Sequence, residues 1–316
     1  MRIAGLYPGY RTVMYRPLDP GRAEAFHRPR RLDVLVPTRN RPAELAATLS
    51  GLAAQEDRFG VVVSDQSDGA PAWENSAVAG LVRILRHRGH PVLLCGNLPR
   101  RGLAQQRAFL LDRSVARYVL FLDDDVWLEP GSVGRMLTAI AELRCGFVGN
   151  FPHGLSYVDD HRPEQEKAYQ EWTGRPEPER IRPRGRQWRR ASLHAAANLL
   201  HLTERLDLAP GQWRAYKVAW LGACVLYDRA ALVAAGGFDF WPRVPAEHSG
   251  EDVAAQLRVL ARSGGAGVLP SGAYHLESPT TVPDRAVECF DESGLAEELA
   301  GGVDDLDGGD VGHERG

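Results

Sequence analysis

The chain is poor in the features that mark several large classes of protein. It holds four cysteines, Cys95, Cys145, Cys224 and Cys289, none close enough in sequence to form a zinc knuckle or a disulfide framework. That usage suits a reducing, cytoplasmic setting. The sequence also lacks an excess of either charge, since 38 Lys and Arg face 41 Asp and Glu, for a formal net charge of −3. No global field draws it to nucleic acid, so any anion site has to be built locally. Long apolar runs are missing too. Pro8, Arg11, Arg16 and Pro17 interrupt the first stretch before it reaches signal-peptide length, and no later stretch is long enough for a transmembrane segment. There is no internal repeat.

What is present is a hydrophobic content of 44% over 316 residues, enough for one large domain or two small ones. Residues 1–31 carry seven arginines and scattered prolines and read as an irregular N-terminal arm. From residue 32 onward short apolar runs alternate with helical spacing. Strands are predicted at 32–36, 60–64, 92–95 and 118–122, and helices at 42–52, 73–85 and 103–113. Continuous apolar strands argue for an α/β fold with a mainly parallel, Rossmann-like sheet covered by helices on both faces. Such sheets bind ligands beyond the carboxyl ends of their strands. Residues 151–190 are polar and turn-rich, with seven arginines between 174 and 190, and are expected to form a mobile loop. A helix at 191–206, a strand at 220–227 and helices at 229–235 and 251–263 are predicted next. Residues 284–316, with ten acidic side chains from 288 onward, are expected to be an acidic, disordered C-terminal tail.

The carboxyl edge of the fourth predicted strand carries Asp123, Asp124 and Asp125. The two-residue strand period puts Asp123 and Asp125 on one face, where two carboxylates suit a hard divalent cation that takes its other ligands from phosphate oxygens. An acidic turn facing solvent is the plainer reading. Pro37-Thr38-Arg39-Asn40 follows the first strand, and Ser64-Asp65-Gln66-Ser67-Asp68 follows the second. Asp65 there is placed to accept from a base N–H, although Asp and Ser are also ordinary turn formers. Ser249-Gly250-Glu251-Asp252 opens a predicted helix with the spacing of a capping box, so an acid at Asp252 has a structural explanation as well as a chemical one.

Taken in order, these segments resemble glycosyltransferase family 2 and its GT-A fold, over about residues 32–275. Residues 34–40 are similar to the family's first strand and donor loop, and 62–67 to its Asp-Asp-Gly-Ser stretch, with Ser64 and Gln66 departing from the pattern. Arg101-Gly102-Leu103-Ala104-Gln105-Gln106-Arg107 resembles the Gly-x-x-x-Ala-Arg-Asn segment, and Asp123 to Asp125 the DxD region. Trp220-Leu221-Gly222, Gly236-Gly237-Phe238-Asp239 and Gly250-Glu251-Asp252 resemble the acceptor half.

The resemblance implies one domain over 32–283, with a nucleotide-sugar half at 32–130 and an acceptor half at 131–283. It implies transfer of a sugar, with inversion, from a nucleotide-sugar donor, UDP-linked for preference, to a small-molecule, glycan or lipid-linked acceptor. It assigns donor binding to Pro37, Thr38, Arg39, Asp65, Gly102, Arg107, Asp123 and Asp124. Trp220 and Gly222 fall on the acceptor side. A cation (Mn2+ or Mg2+) is assigned to Asp123 and Asp125 with His275 as a third ligand, and general-base chemistry to Asp252 beside Glu251. The arginines at 184, 186 and 189 offer a further set of diphosphate ligands, should the loop close over the donor. Two other readings stay open: a nucleotidyltransferase of related fold, and a catalytically inactive nucleotide-sugar-binding protein.

Overall fold

The computed structural model describes residues 29–280, 282 and 285–292, so the arm expected at 1–31 lies almost wholly outside the described residues. In chain order the strands are β1 (Leu32–Thr38), β2 (Gly60–Asp65), β3 (Val92–Gly96), β4 (Tyr118–Leu122), β5 (Val126–Leu128), β6 (Phe147–Gly149), β7 (His153–Gly154), β8 (Arg214–Tyr216), β9 (Cys224–Asp228), β10 (Gly265–Leu269) and β11 (Ala273–His275). The helices are α1 (Pro42–Ala53), α2 (Ser76–His87), α3 (Leu103–Leu111), α4 (Ser132–Leu143), α5 (Pro163–Glu166), α6 (Asn198–Leu206), α7 (Arg229–Ala234), α8 (Glu251–Ser263) and α9 (Cys289–Glu292).

Eight strands form one sheet in the order β3-β2-β1-β4-β9-β6-β10-β8. The first four run parallel, β9 runs antiparallel to both β4 and β6, and β8 is an antiparallel edge. Alternate side chains of β1 enter two different cores. Val34 and Val36 pack with Leu45, Leu49 and Leu52 of α1, whereas Leu35 packs on the opposite face with Leu110 of α3 and Leu257 of α8. Coverage on both faces is why the strands read as unbroken apolar runs. A second sheet, β5-β11-β7, stands beside the carboxyl edge and pairs His275 with Val126, one residue past the acidic triplet. Among the described residues no helix is long and apolar enough to cross a membrane.

Four sequence expectations need correction. The strand predicted at 220–227 starts at Cys224; Trp220 to Ala223 is a loop, with Ala223 at φ 64° and Leu221 tied by both its N–H and C=O to the Gln256 side chain. The helix predicted at 191–206 is split, because Arg186–His194 winds as a 3-10 helix and Ala196, at φ 48°, interrupts it before α6 begins. The stretch 151–190 is irregular but packed: Ile181 is fully buried, and Arg190 makes a two-pronged pair with Glu179 at 2.8 and 3.1 Å. The tail expected from 284 begins by docking, with Cys289 and Phe290 buried and Val287 and Cys289 hydrogen-bonded to the Ser249 backbone. Residues 293–316 lie outside the described residues.

Candidate active site

The carboxyl ends of β1 and β4, the start of α8, and Ser278, Thr280, Val282, Arg285, Glu288 and Phe290 enclose a cleft of about 730 Å³. The acidic triplet enters it from a turn. β4 ends at Leu122, so the strand-period argument does not apply, and all three carboxylates line the cleft, two of them sharing one arginine. Arg41 bridges two of them, donating to Asp124 Oδ1 at 3.0 Å and to Asp125 Oδ2 at 2.7 Å. Thr38 Oγ1 donates to the other oxygen of Asp124 at 2.7 Å. Burial nevertheless pushes the Asp124 carboxyl up to about 7.

Asp123 turns the other way. Arg107, on α3 and only 3% exposed, donates through Nη2 to Asp123 at 2.8 Å and through Nε to Glu251 at 2.9 Å. One guanidinium therefore ties the acidic turn to the first residue of α8, linking the two halves of the cleft. Asp252 lies next to Glu251 with its Oδ1 accepting from the Val253 N–H at 2.8 Å. Burial, reinforced by the charge of Glu251 and opposed by Arg107, pushes its carboxyl up to about 7. The capping-box explanation of Asp252 does not hold. Gly250 occupies the N-cap in a left-handed conformation with no side-chain cap, and the Ser249 N–H donates to Val287 O. Glycine is favoured at that point by its φ of 75°, a conformation that L side chains rarely adopt.

Of the residues assigned to the donor, Pro37, Thr38, Arg39, Arg107, Asp123 and Asp124 line the cleft, and Asp65 and Gly102 do not. Asp65 has both oxygens engaged by backbone, from Ser67 N–H at 2.7 Å and Ala72 N–H at 2.6 Å. It shapes the loop after β2. Asp65→Ala should leave two buried N–H groups without acceptors and cost about 1–3 kcal/mol of stability in urea unfolding. Gly102, at φ 87°, admits the Ala246 carbonyl to within 2.5 Å of where a Cβ would stand. His248 completes that junction: its Nε2 accepts from Ala104 N–H at 3.0 Å while Nδ1 faces Pro245 O at 2.6 Å, which fixes a neutral tautomer. On the acceptor side Trp220 lines the cleft, and Gly222 lies behind it, close to Asp252. Of the three loop arginines only Arg184 reaches the cleft, where it pairs with Asp291 at 3.1 Å.

The assigned cation ligands can be tested on the same geometry. His275 Nε2 is 3.5 Å from Asp125 Oδ2, and its Nδ1 accepts from the Glu277 N–H at 2.8 Å. Among the described residues no group of three or more His, Cys, Asp or Glu is gathered to hold a metal unaided. Carboxylate oxygens at a polar cleft do suit a hard cation that keeps water and shares substrate phosphates. Asp125 and His275 offer donor atoms side by side, as an open set and not a closed cage.

Sequence reasoning missed Arg41, His248, Trp188 and Phe290. Arg41 carried a signal, since it immediately precedes the helix-opening Pro42 and so stands at the carboxyl edge of β1, opposite the acids.

The model of the family described as "Glycosyl transferase family 2" matches residues 33–205, more than half of the chain. The chain belongs to glycosyl transferase family 2. None of the curated proteins matches it in sequence. Among solved structures, the family 2 chain is similar to the mannosyltransferase PcManGT from Pyrobaculum calidifontis, determined with GDP-Man and Mn2+. The TM-score is 0.50 and the identity 15%, over 83% of this chain and 64% of that one. It also matches S. aureus TarS 1–349, with a TM-score of 0.49 and 16% identity over 78% of this chain and 60% of that one. The likeness to PcManGT is one of fold, the GT-A fold. The chain spans about three fifths of the length of these structures.

Proposed function

We propose that this chain transfers a sugar from a nucleotide-sugar to an acceptor hydroxyl, with inversion at the anomeric carbon, and that a uridine-linked donor is preferred. The observation that carries the proposal is the arrangement of two acidic groups in one cleft. Asp123 to Asp125 lie at the sheet edge where the donor diphosphate would bind, and Glu251 and Asp252 lie at the start of α8, with Arg107 between.

In this mechanism Asp125 would hold the cation, with Asp123 and His275 assisting. When bound, Mn2+ or Mg2+ supplies neutralisation of the charge that develops on the diphosphate leaving group. Pro37, Thr38 and Arg39 flank the nucleoside, and Asp124, anchored by Thr38 and Arg41, keeps the acidic turn in shape. Arg107 restrains Glu251, and Asp252 accepts the proton of the acceptor hydroxyl as that oxygen attacks the face opposite the leaving group. A base held near neutrality is matched to that task. The acid limb of the pH–rate profile should therefore have its midpoint near 7, with turnover rising as Asp252 ionises; a flat profile from pH 5 to 8 would contradict the assignment.

The donor preference rests on the family resemblance at residues 62–67 alone, since both Asp65 oxygens accept from backbone N–H groups, and equal binding of uridine, guanosine and thymidine diphosphates would overturn it. Asp125→Asn tests the cation site. The variant is expected to lose the gain in nucleotide-sugar affinity on adding Mn2+, a weakening of roughly 10–100-fold or about 1.4–2.8 kcal/mol, measured by titration calorimetry. Unchanged affinity and unchanged metal dependence would show that the cation is held elsewhere.

A further inference from the structure

The geometry points to a sugar ring as the acceptor, seated face-on against Trp220 and Trp188 with one hydroxyl directed at Asp252, so that the acceptor is a saccharide and not a peptide or a simple lipid alcohol. The inference rests on the transfer reading above and goes beyond it by choosing among the acceptor classes that the sequence left open.

Gly222, behind the cleft wall, gives the spacing of two of the groups that line it. The point where its Cβ would stand is 3.5 Å from Cζ3 of the Trp220 indole and 3.9 Å from Asp252 Oδ2. The rim of the Trp220 indole and the proposed base are thus both within 3.9 Å of a single point. The second tryptophan comes from the 3-10 helix Arg186–His194: Trp188 lines the same cleft and is backed edge-on by Phe290, with ring centroids 5.8 Å apart. Phe290 is held in turn by the docked segment, whose backbone bonds to Ser249 immediately before α8. The same segment brings the Glu288 carboxylate to the cleft.

Each of these groups answers one part of a pyranose. The C–H bonds on one face of the ring carry partial positive charge and match the electron-rich face of an indole, which also removes apolar surface from water. Carboxylates accept from ring hydroxyls, and Glu288 and Asp252 provide them at two places. A peptide would call for backbone-pairing edges along the groove, and a lipid alcohol for an apolar channel. The cleft instead combines two tryptophans with charged acceptors.

The test is saturation-transfer NMR on the full chain loaded with UDP and Mn2+, using maltotriose, cellotriose and triacetylchitotriose as sugar probes and a serine-rich peptide and geraniol as the others. At least one sugar should bind, with transfer strongest at the C–H protons of one ring face. Its dissociation constant should rise at least about tenfold, or about 1.4 kcal/mol, in Trp188→Ala and in Trp220→Ala. Phe290→Leu, which keeps apolar bulk in the packed segment, should weaken it by a smaller factor. UDP affinity, measured by calorimetry on the same variants, should stay within about twofold, and circular dichroism should report native folding. Binding of none of the sugars, sugar binding that survives both tryptophan changes, or saturation by the peptide or geraniol instead would each overturn the inference. Failure of the native protein to bind UDP would count against the donor reading alone, because the sugar titration can be run without nucleotide.

Discussion

Asp252→Asn is expected to cut turnover by roughly 10²–10⁴-fold, the range for loss of a general base, while nucleotide-sugar affinity is kept. Its effect on stability should run in the opposite direction. The folded protein holds the Asp252 proton up to about 7, whereas the unfolded chain releases it near 3.8. Over that window the native state binds more protons than the unfolded state, so stability falls as pH rises from about 4 to about 7. Asparagine removes this cost, and the variant should melt higher than the native protein at pH 8 and equally at pH 4. Asp124, displaced upward in the same way, leaves a residual slope in the variant. A variant that melts lower at pH 8 and turns over at the native rate would assign Asp252 a structural role.

Arg107→Met is expected to have the largest effect on folding. The guanidinium is 3% exposed and neutralises Glu251, itself 4% exposed, together with Asp123. Removing one partner of a buried ion pair leaves an uncompensated charge, at a cost of about 3–5 kcal/mol. Urea unfolding should register that loss, and adding Glu251→Gln to the same chain should restore part of it, because the orphaned charge is then gone. With Arg107 absent, the opposing pull on Asp252 is lost, so any remaining activity should require a higher pH. A stability change below about 1 kcal/mol would mean that the pair is solvated and carries no link between the two halves.

The parallel half of the sheet was legible because each strand announces itself locally. The apolar runs beginning at Leu32, Gly60, Val92 and Tyr118 start at the residues where β1, β2, β3 and β4 start. The motif order, read as a resemblance, led to the family that residues 33–205 match. What stayed hidden depends on long-range partners. Arg107 reads as one face of a helix until Glu251, 144 residues away, is known to meet it. The partners of Asp65 stayed hidden because its two donors, the Ser67 and Ala72 N–H groups, belong to a loop whose conformation no local pattern specifies. The docking of Cys289 and Phe290 was masked by composition, since the acidic residues and glycines around them outweigh two buried side chains in any average. Arg41 shows the converse: an ordinary loop residue by type, it becomes central only once β1 and β4 are side by side.

The proposed donor chemistry meets its most direct test in calorimetric titration of the native protein with UDP- and GDP-sugars, in the presence of Mn2+ and again in excess EDTA. Binding of a nucleotide-sugar that is strong with Mn2+, weakened by chelation and insensitive to chelation in Asp125→Asn is the predicted result. If no nucleotide-sugar binds with the cation present, or if binding is identical with and without it in the native protein, the account of the cleft as a cation-assisted donor site is contradicted.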